Sequence, residues 1–270
     1  MFGRVATKFL VIAFILSALQ LQAEAQCSNG QQVLNYQSRI DYKVYTERGV
    51  LADAQWDKAL GLGKSYFEVP YFAGFLETDL LRDWKLIDIT GDRPPDAVIG
   101  AVSANGQSGH IFFADYRHIK KKDLLQERIR KADLKFYNSM LRAEAVTIDS
   151  PSKALDASLV FLKASTHRVR GFLIEIINSP LDIPKPNDDK RRFSGIVREE
   201  KDKSSAADFR AKIERLSNVI APPHYSERGG KYELLFFTWD PVFGDVEQWC
   251  ITVSNSGISN FSRKLISESV

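Results

Sequence analysis

The chain has few of the residues that announce a chemistry. Only two of its 270 residues are cysteine, Cys27 and Cys250, and neither sits in a CxxC pair, so redox catalysis and a cysteine zinc site have no support. Four histidines, His110, His118, His167 and His224, form no HExxH pattern. Asp115 with His118, or His224 with Glu227, can share a helical face at i, i+3, but neither pair brings a third metal ligand. A GxSxG elbow is absent, which leaves an α/β-type serine hydrolase without its anchor. Gly61-Leu-Gly-Lys-Ser65 ends like a phosphate-binding loop, yet the position that requires the first glycine is Lys58. Pro70 and an aromatic, strand-like run follow where that motif needs a helix, so the segment reads as a turn. Charge of one sign is also lacking: 37 Lys and Arg face 34 Asp and Glu, a net of +3, which argues against a nucleic-acid partner. With 44% hydrophobic and 26% charged residues, disorder and collagen-like repeats are excluded. No internal repeat is visible.

A long hydrophobic run occurs once, at the start. Arg4 and Lys8 precede the apolar stretch from Phe9 to Leu19, and Ala23-Glu24-Ala25 places small residues where a signal peptidase reads. Residues 1–25 therefore read as a cleaved signal peptide. A spanning helix needs about 20 mostly apolar residues, and Gln20, Gln22 and Glu24 interrupt this one. No later segment is long or apolar enough to span, so the expectation is a mature chain without a transmembrane segment, secreted or periplasmic. An oxidising compartment favours a Cys27–Cys250 bridge over two free thiols. Such a bridge closes nearly the whole chain, and loop-entropy models assign it roughly 4–5 kcal/mol.

Periodicity sketches the rest. Strands are expected at 40–44, 84–87, 97–102, 109–115, 169–177, 232–239 and 246–253; the second to fourth make a meander turning at Asn105-Gly106, and the last two a hairpin. Helices are expected at 52–60, at one or two places within 119–141, at 152–164 with Leu155, Leu159 and Leu162 on one stripe, and at 205–220. The last places Phe209, Ile213, Leu216 and Ile220 at i, i+4, i+7 and i+11 before Pro222-Pro223. The proline-rich segment 180–192 reads as an exposed loop. Strands and helices are segregated rather than alternating, which gives an α+β fold of antiparallel sheets. The expected organisation is a β-rich half over 26–148 and an α+β half over 149–270, in one domain or two.

Two clusters carry weaker signals. Lys120, Lys121, Lys122, Arg128, Arg130 and Lys131 are interrupted by Asp123, Glu127 and Asp133 at ion-pairing spacings, the pattern of a solvated helix face. The aromatics of 66–75, with Trp239 and Trp249, can serve as core or as a sugar-stacking platform.

One segment has positional grammar: Asp88-Ile-Thr-Gly-Asp92-Arg-Pro-Pro-Asp96, bracketed by Leu86-Ile87 and by Ala97-Val-Ile-Gly100. Carboxylates at positions 1, 5 and 9 of a tight turn can converge on a hard cation. The segment resembles the calcium loop of FG-GAP repeats, the blades of integrin-alpha-type propellers. The likeness covers about 15 residues. It implies calcium as cofactor, with Asp88, Asp92 and Asp96 as side-chain ligands, Thr90 as a weak one and Pro94 as a carbonyl donor. Thr90 replaces the family's usual Asn or Asp, and Arg93 stands where glycine is preferred. Both departures lower the expected affinity, and a metal-free hairpin turn is the competing reading. A propeller needs several blades of about four strands, and one such loop is present.

The function expected from these observations is an exported soluble binding or interaction module with a protein or carbohydrate partner. The alternative is a secreted or periplasmic hydrolase of a polymer or cell-envelope component. The two differ in whether a cleft holds convergent acid–base groups, such as a histidine and a carboxylate.

Overall fold

A computed structural model of the chain describes residue 27 and residues 32–37, 40–45, 70–91, 97–115, 131–165, 174–185, 206–241 and 244–268. The expected signal peptide, the helix at 52–60, the glycine-lysine segment 61–65, the basic stretch 120–130 and residues 186–192 lie outside them. The fold is α+β, with strands predominating.

The first sheet contains β2 (Asp41–Tyr45), β3 (Pro70–Glu77), β4 (Trp84–Gly91), β5 (Ala97–Ser103) and β6 (Gly109–Asp115) in chain order, all antiparallel. The expected meander is its β4–β6 part, and Gly106 takes the positive φ of 68° that the turn requires. The aromatic, strand-like run is β3, which starts at Pro70 and continues through Gly74. Pro70 is tolerated because it is the strand's first residue.

The second sheet has β1 (Gln32–Val33), β8 (His224–Arg228), β9 (Lys231–Trp239), β10 (Val246–Ser254) and β11 (Gly257–Ser267) in that order, with β7 (Glu175–Ile177) also on β9. β9 and β10 form the expected hairpin, pairing Val246 with Trp239 and Ser254 with Lys231.

Three helices are described: α1 (Lys131–Ala143), α2 (Pro151–Ser165) and α3 (Ala206–Leu216). α2 starts where Ser150 caps it: the Ser150 Oγ accepts the Lys153 N–H at 3.3 Å, and Pro151 occupies the first turn, where its missing N–H costs nothing. The helix was expected to bury one leucine stripe. Instead every residue from Ala154 to Ser165 is buried, because α2 packs against β5 and β6 of the first sheet and β9, β10 and β11 of the second. A helix between two sheets has no solvent face. Its hydroxyls bond back along the helix, Ser158 to the Ala154 carbonyl and Ser165 to the Phe161 carbonyl.

The main apolar cluster centres on this helix and draws on both sides of position 148: Leu86 and Phe112 from the first sheet, Leu155 and Phe161 from α2, Phe236 and Trp249 from the second sheet. The opposite face of β9 presents Phe237 and Trp239 to a second cluster with Leu216 and Ile220, against which Phe209 and Ile213 pack. The predicted stripe of α3 therefore does what its spacing requires. The segment expected as an exposed loop from Pro180 begins as a packed 3-10 turn, Pro180–Asp182, capped by Ser179. Pro180, Ile183 and Pro184 are buried.

Candidate functional site

Three segments distant in sequence enclose a cleft of about 340 Å³: the β3–β4 turn (Thr78, Asp79, Arg82), the α1–α2 connection (Glu144 to Thr147) and the first turns of α2 (Lys153, Asp156). Its polar groups already have partners within the fold. The buried Asp156 Oδ1 accepts a hydrogen bond from the Tyr36 hydroxyl at 2.8 Å. Glu144 Oε1 accepts the Asp83 N–H at 2.6 Å. Lys153 Nζ donates to Asp149 Oδ2 at 3.0 Å and to the Thr147 carbonyl at 3.3 Å. Beneath the cleft the Tyr137 hydroxyl donates to the Ala157 carbonyl at 2.8 Å, and burial together with the Asp156 charge pushes its phenol pKa up.

The connection that forms one wall is conformationally specific. α1 ends in a Schellman arrangement, with Val146 N–H bonded to the Leu141 carbonyl and Ala145 N–H to the Arg142 carbonyl, both at 3.0 Å. This geometry places Ala145 at φ 52°, the single non-glycine positive φ among the described residues, and Ala145 lines the cleft. An alanine in the left-handed region is strained, and strain of this kind concentrates at binding sites.

A histidine–carboxylate pair exists as well, but elsewhere. His110 on β6 faces Asp133 in the first turn of α1, Nε2 to Oδ1 at 2.9 Å. Asp133 is fully buried, although its neighbourhood reads in sequence as a solvated, ion-paired helix face. The imidazole stacks on Phe136 at 4.2 Å and meets Phe112 edge-on at 4.9 Å. Neither His110 nor Asp133 lines the cleft.

The helical faces that would bring Asp115 to His118 and His224 to Glu227 are not found among the described residues. Asp115 ends a strand, and His118 lies outside the described residues. His224 and Glu227 both lie on β8, where an odd spacing sends side chains to opposite faces. Trp239 and Trp249 are buried in the two clusters, so they belong to the core and offer no sugar platform. Of the calcium-loop residues, Asp88 is fully buried in β4, paired with Gly74 and Ile99, and Thr90 pairs with Ala97 near the end of the β4–β5 ladder. Asp92, Pro94 and Asp96 fall outside the described residues. Among the described residues no three His, Cys, Asp or Glu side chains are grouped to hold a metal ion.

Cys27 and Cys250 stand at disulfide distance, with Cα atoms 5.7 Å apart. Among the described residues no helix is long and apolar enough to cross a membrane. No protein-family model, curated protein or solved structure matches the chain.

Proposed function

We propose that the chain is an exported, soluble binding module, secreted or periplasmic, that takes a small polar ligand in the cleft beside Ala145. The observation that carries this reading is the set of charged groups already fixed at the cleft, Asp156 by Tyr36, Glu144 by the Asp83 N–H and Lys153 by Asp149. Groups oriented before a ligand arrives lower the ordering cost of binding. The cysteine pair and the signal-like leader support export. A thermal-shift screen of small polar compounds, run on the parent and on Thr147→Trp, tests it. Ligands should stabilise the parent and lose their effect when the indole fills the cleft; ligands indifferent to that change would refute the assignment.

The His110–Asp133 pair favours a second reading, a secreted hydrolase of an envelope polymer, because a histidine oriented by a buried carboxylate is the base half of many hydrolytic sites. The stacking of His110 on Phe136 weighs against it by restricting the ring. Release of soluble fragments from an envelope polymer, lost in His110→Ala, would establish this reading instead.

Calcium at Asp88, Thr90, Asp92, Pro94 and Asp96 is a further proposal, resting on the aspartate spacing. Millimolar calcium should raise the melting temperature of initially metal-free parent protein, and less so that of Asp92→Ala. Identical melting with calcium and with chelator would reduce the loop to a turn.

A further inference from the structure

The cleft is lined by both signs of charge, and this limits what it can hold. Asp79 and Arg82 come from the exposed β3–β4 turn, Glu144 from the end of α1, and Lys153 and Asp156 from α2. An apolar ligand would strip water from these groups without replacing its hydrogen bonds, and a neutral polar one would replace those bonds without balancing the charges. A ligand of one sign would meet its own sign on part of the lining. A molecule with one ammonium and one carboxylate satisfies both. Glu144 and Asp156 supply the negative charge of the lining, and a carboxylate accepts several donors at once, so the hydrogen bond each accepts from the fold does not bar an ammonium. Arg82 offers the planar fork that matches a carboxylate, and Lys153 adds a second positive charge held in place by Asp149. About 340 Å³ lies at the small end of the roughly 300–1,000 Å³ typical of ligand pockets, which suits an amino acid or a dipeptide.

We propose that the cleft binds a small zwitterion of amino-acid or dipeptide size, its ammonium at Glu144 and Asp156 and its carboxylate at Arg82 and Lys153. This rests on the cleft being the ligand site. Calorimetric titration of the full exported chain with alanylalanine, its N-acetyl derivative and its C-terminal amide tests the assignment. Alanylalanine should bind, and removing either charge should weaken it at least tenfold. Arg82→Gln changes an exposed side chain and should cost alanylalanine at least tenfold while leaving the amide unaffected. Glu144→Gln keeps an acceptor for the Asp83 N–H and should act on the ammonium end, leaving the acetylated compound unaffected. Equal binding of the three compounds, or binding of none up to about 10 mM, weaker than the usual small-ligand range, would overturn the proposal. Binding of a neutral sugar that Thr147→Trp abolishes would overturn the zwitterion and leave the cleft as ligand site. If no compound responds to Thr147→Trp, both fall.

Discussion

Ala145 holds a backbone conformation that glycine adopts freely. At φ 52° its Cβ is strained by about 1–2 kcal/mol, and the greater freedom of glycine in the unfolded chain returns part of that. Ala145→Gly should therefore stabilise the fold by about 0.5–1 kcal/mol, read as a higher urea midpoint with an unchanged slope. A loss of stability would mean that the methyl group packs more than the turn geometry implies. Lys163 presents the opposite case, a cost carried by burial. Its amine lies inside α2 and donates to the Ile174 carbonyl; desolvation outweighs the nearby Glu175 carboxylate and lowers its pKa from 10.5 to about 8. Below pH 8 the amine is protonated in both states and contributes no slope. Between about 8 and 10.5 the unfolded chain binds the proton more strongly, so stability rises with pH. In Lys163→Met that rise is absent. The stability difference, variant minus parent, should fall by about 2 kcal/mol between pH 7 and 9.5. The lost hydrogen bond to Ile174 shifts both values alike, and a difference independent of pH would show that Lys163 reaches water.

Besides the shared core, specific hydrogen bonds hold elements to one another, and the tip of the β10–β11 hairpin carries one such contact. Asn138 on α1 clasps Ile258: its Nδ2 donates to the Ile258 carbonyl at 2.7 Å, and its Oδ1 accepts the Ile258 N–H at 3.0 Å. This brings Asn138 against Gly257, whose φ is 132° and where an added Cβ would stand 2.3 Å from the Asn138 Oδ1. Gly257→Ala must break the clasp as well as strain the backbone, and should cost about 2–4 kcal/mol. Combined with Asn138→Ala the two losses should sum to less than their separate values, since the clash then has no partner; strict additivity in a double-mutant cycle would show that the contact is not made. How legible each element is in sequence follows from its exposure. β10 and the first half of β9 bury alternate residues, and β5 is a short apolar run buried from residue 98 to 102, so their patterns are plain. β11 carries Ser259, Asn260, Arg263 and Lys264 on an exposed edge and shows no such alternation. β8 is hidden in the same way by His-Tyr-Ser-Glu-Arg, although Gly229 and Gly230, both at positive φ, form a two-residue hairpin turn that could have revealed it. The cleft had no legible signal: 78–82, 144–147 and 153–156 meet only through tertiary packing. Asp133 is hidden by its charged neighbours, and its partner His110 is placed by the register of the first sheet.

At the scale of the whole molecule, Cys27 and the segment at 32–34 are tied to the second sheet at several points. β1 pairs with β8, Leu34 N–H bonds to the Pro223 carbonyl at 2.7 Å, and Cys27 meets Cys250 in the interior of β10. Cys250 lies between Leu235 on β9 and Ser262 on β11, so a covalent link there anchors Cys27 to the middle of the sheet rather than to its edge. The sequence separation of 223 residues makes this a long loop, for which chain-entropy models assign the larger stabilisations. The other anchors remain when the link is cut, so loss of the link should weaken the fold without dispersing the sheet. Cys27→Ser with Cys250→Ser should lower unfolding free energy by about 2–5 kcal/mol. Reducing the parent should lower its stability by a similar amount and leave the double variant unchanged. Non-reducing peptide mapping should recover the two cysteine peptides joined. Alkylation of both thiols without prior reduction, or equal sensitivity of parent and double variant to reductant, would show that the cysteines stand close without being bonded, and export would then lose its strongest structural support.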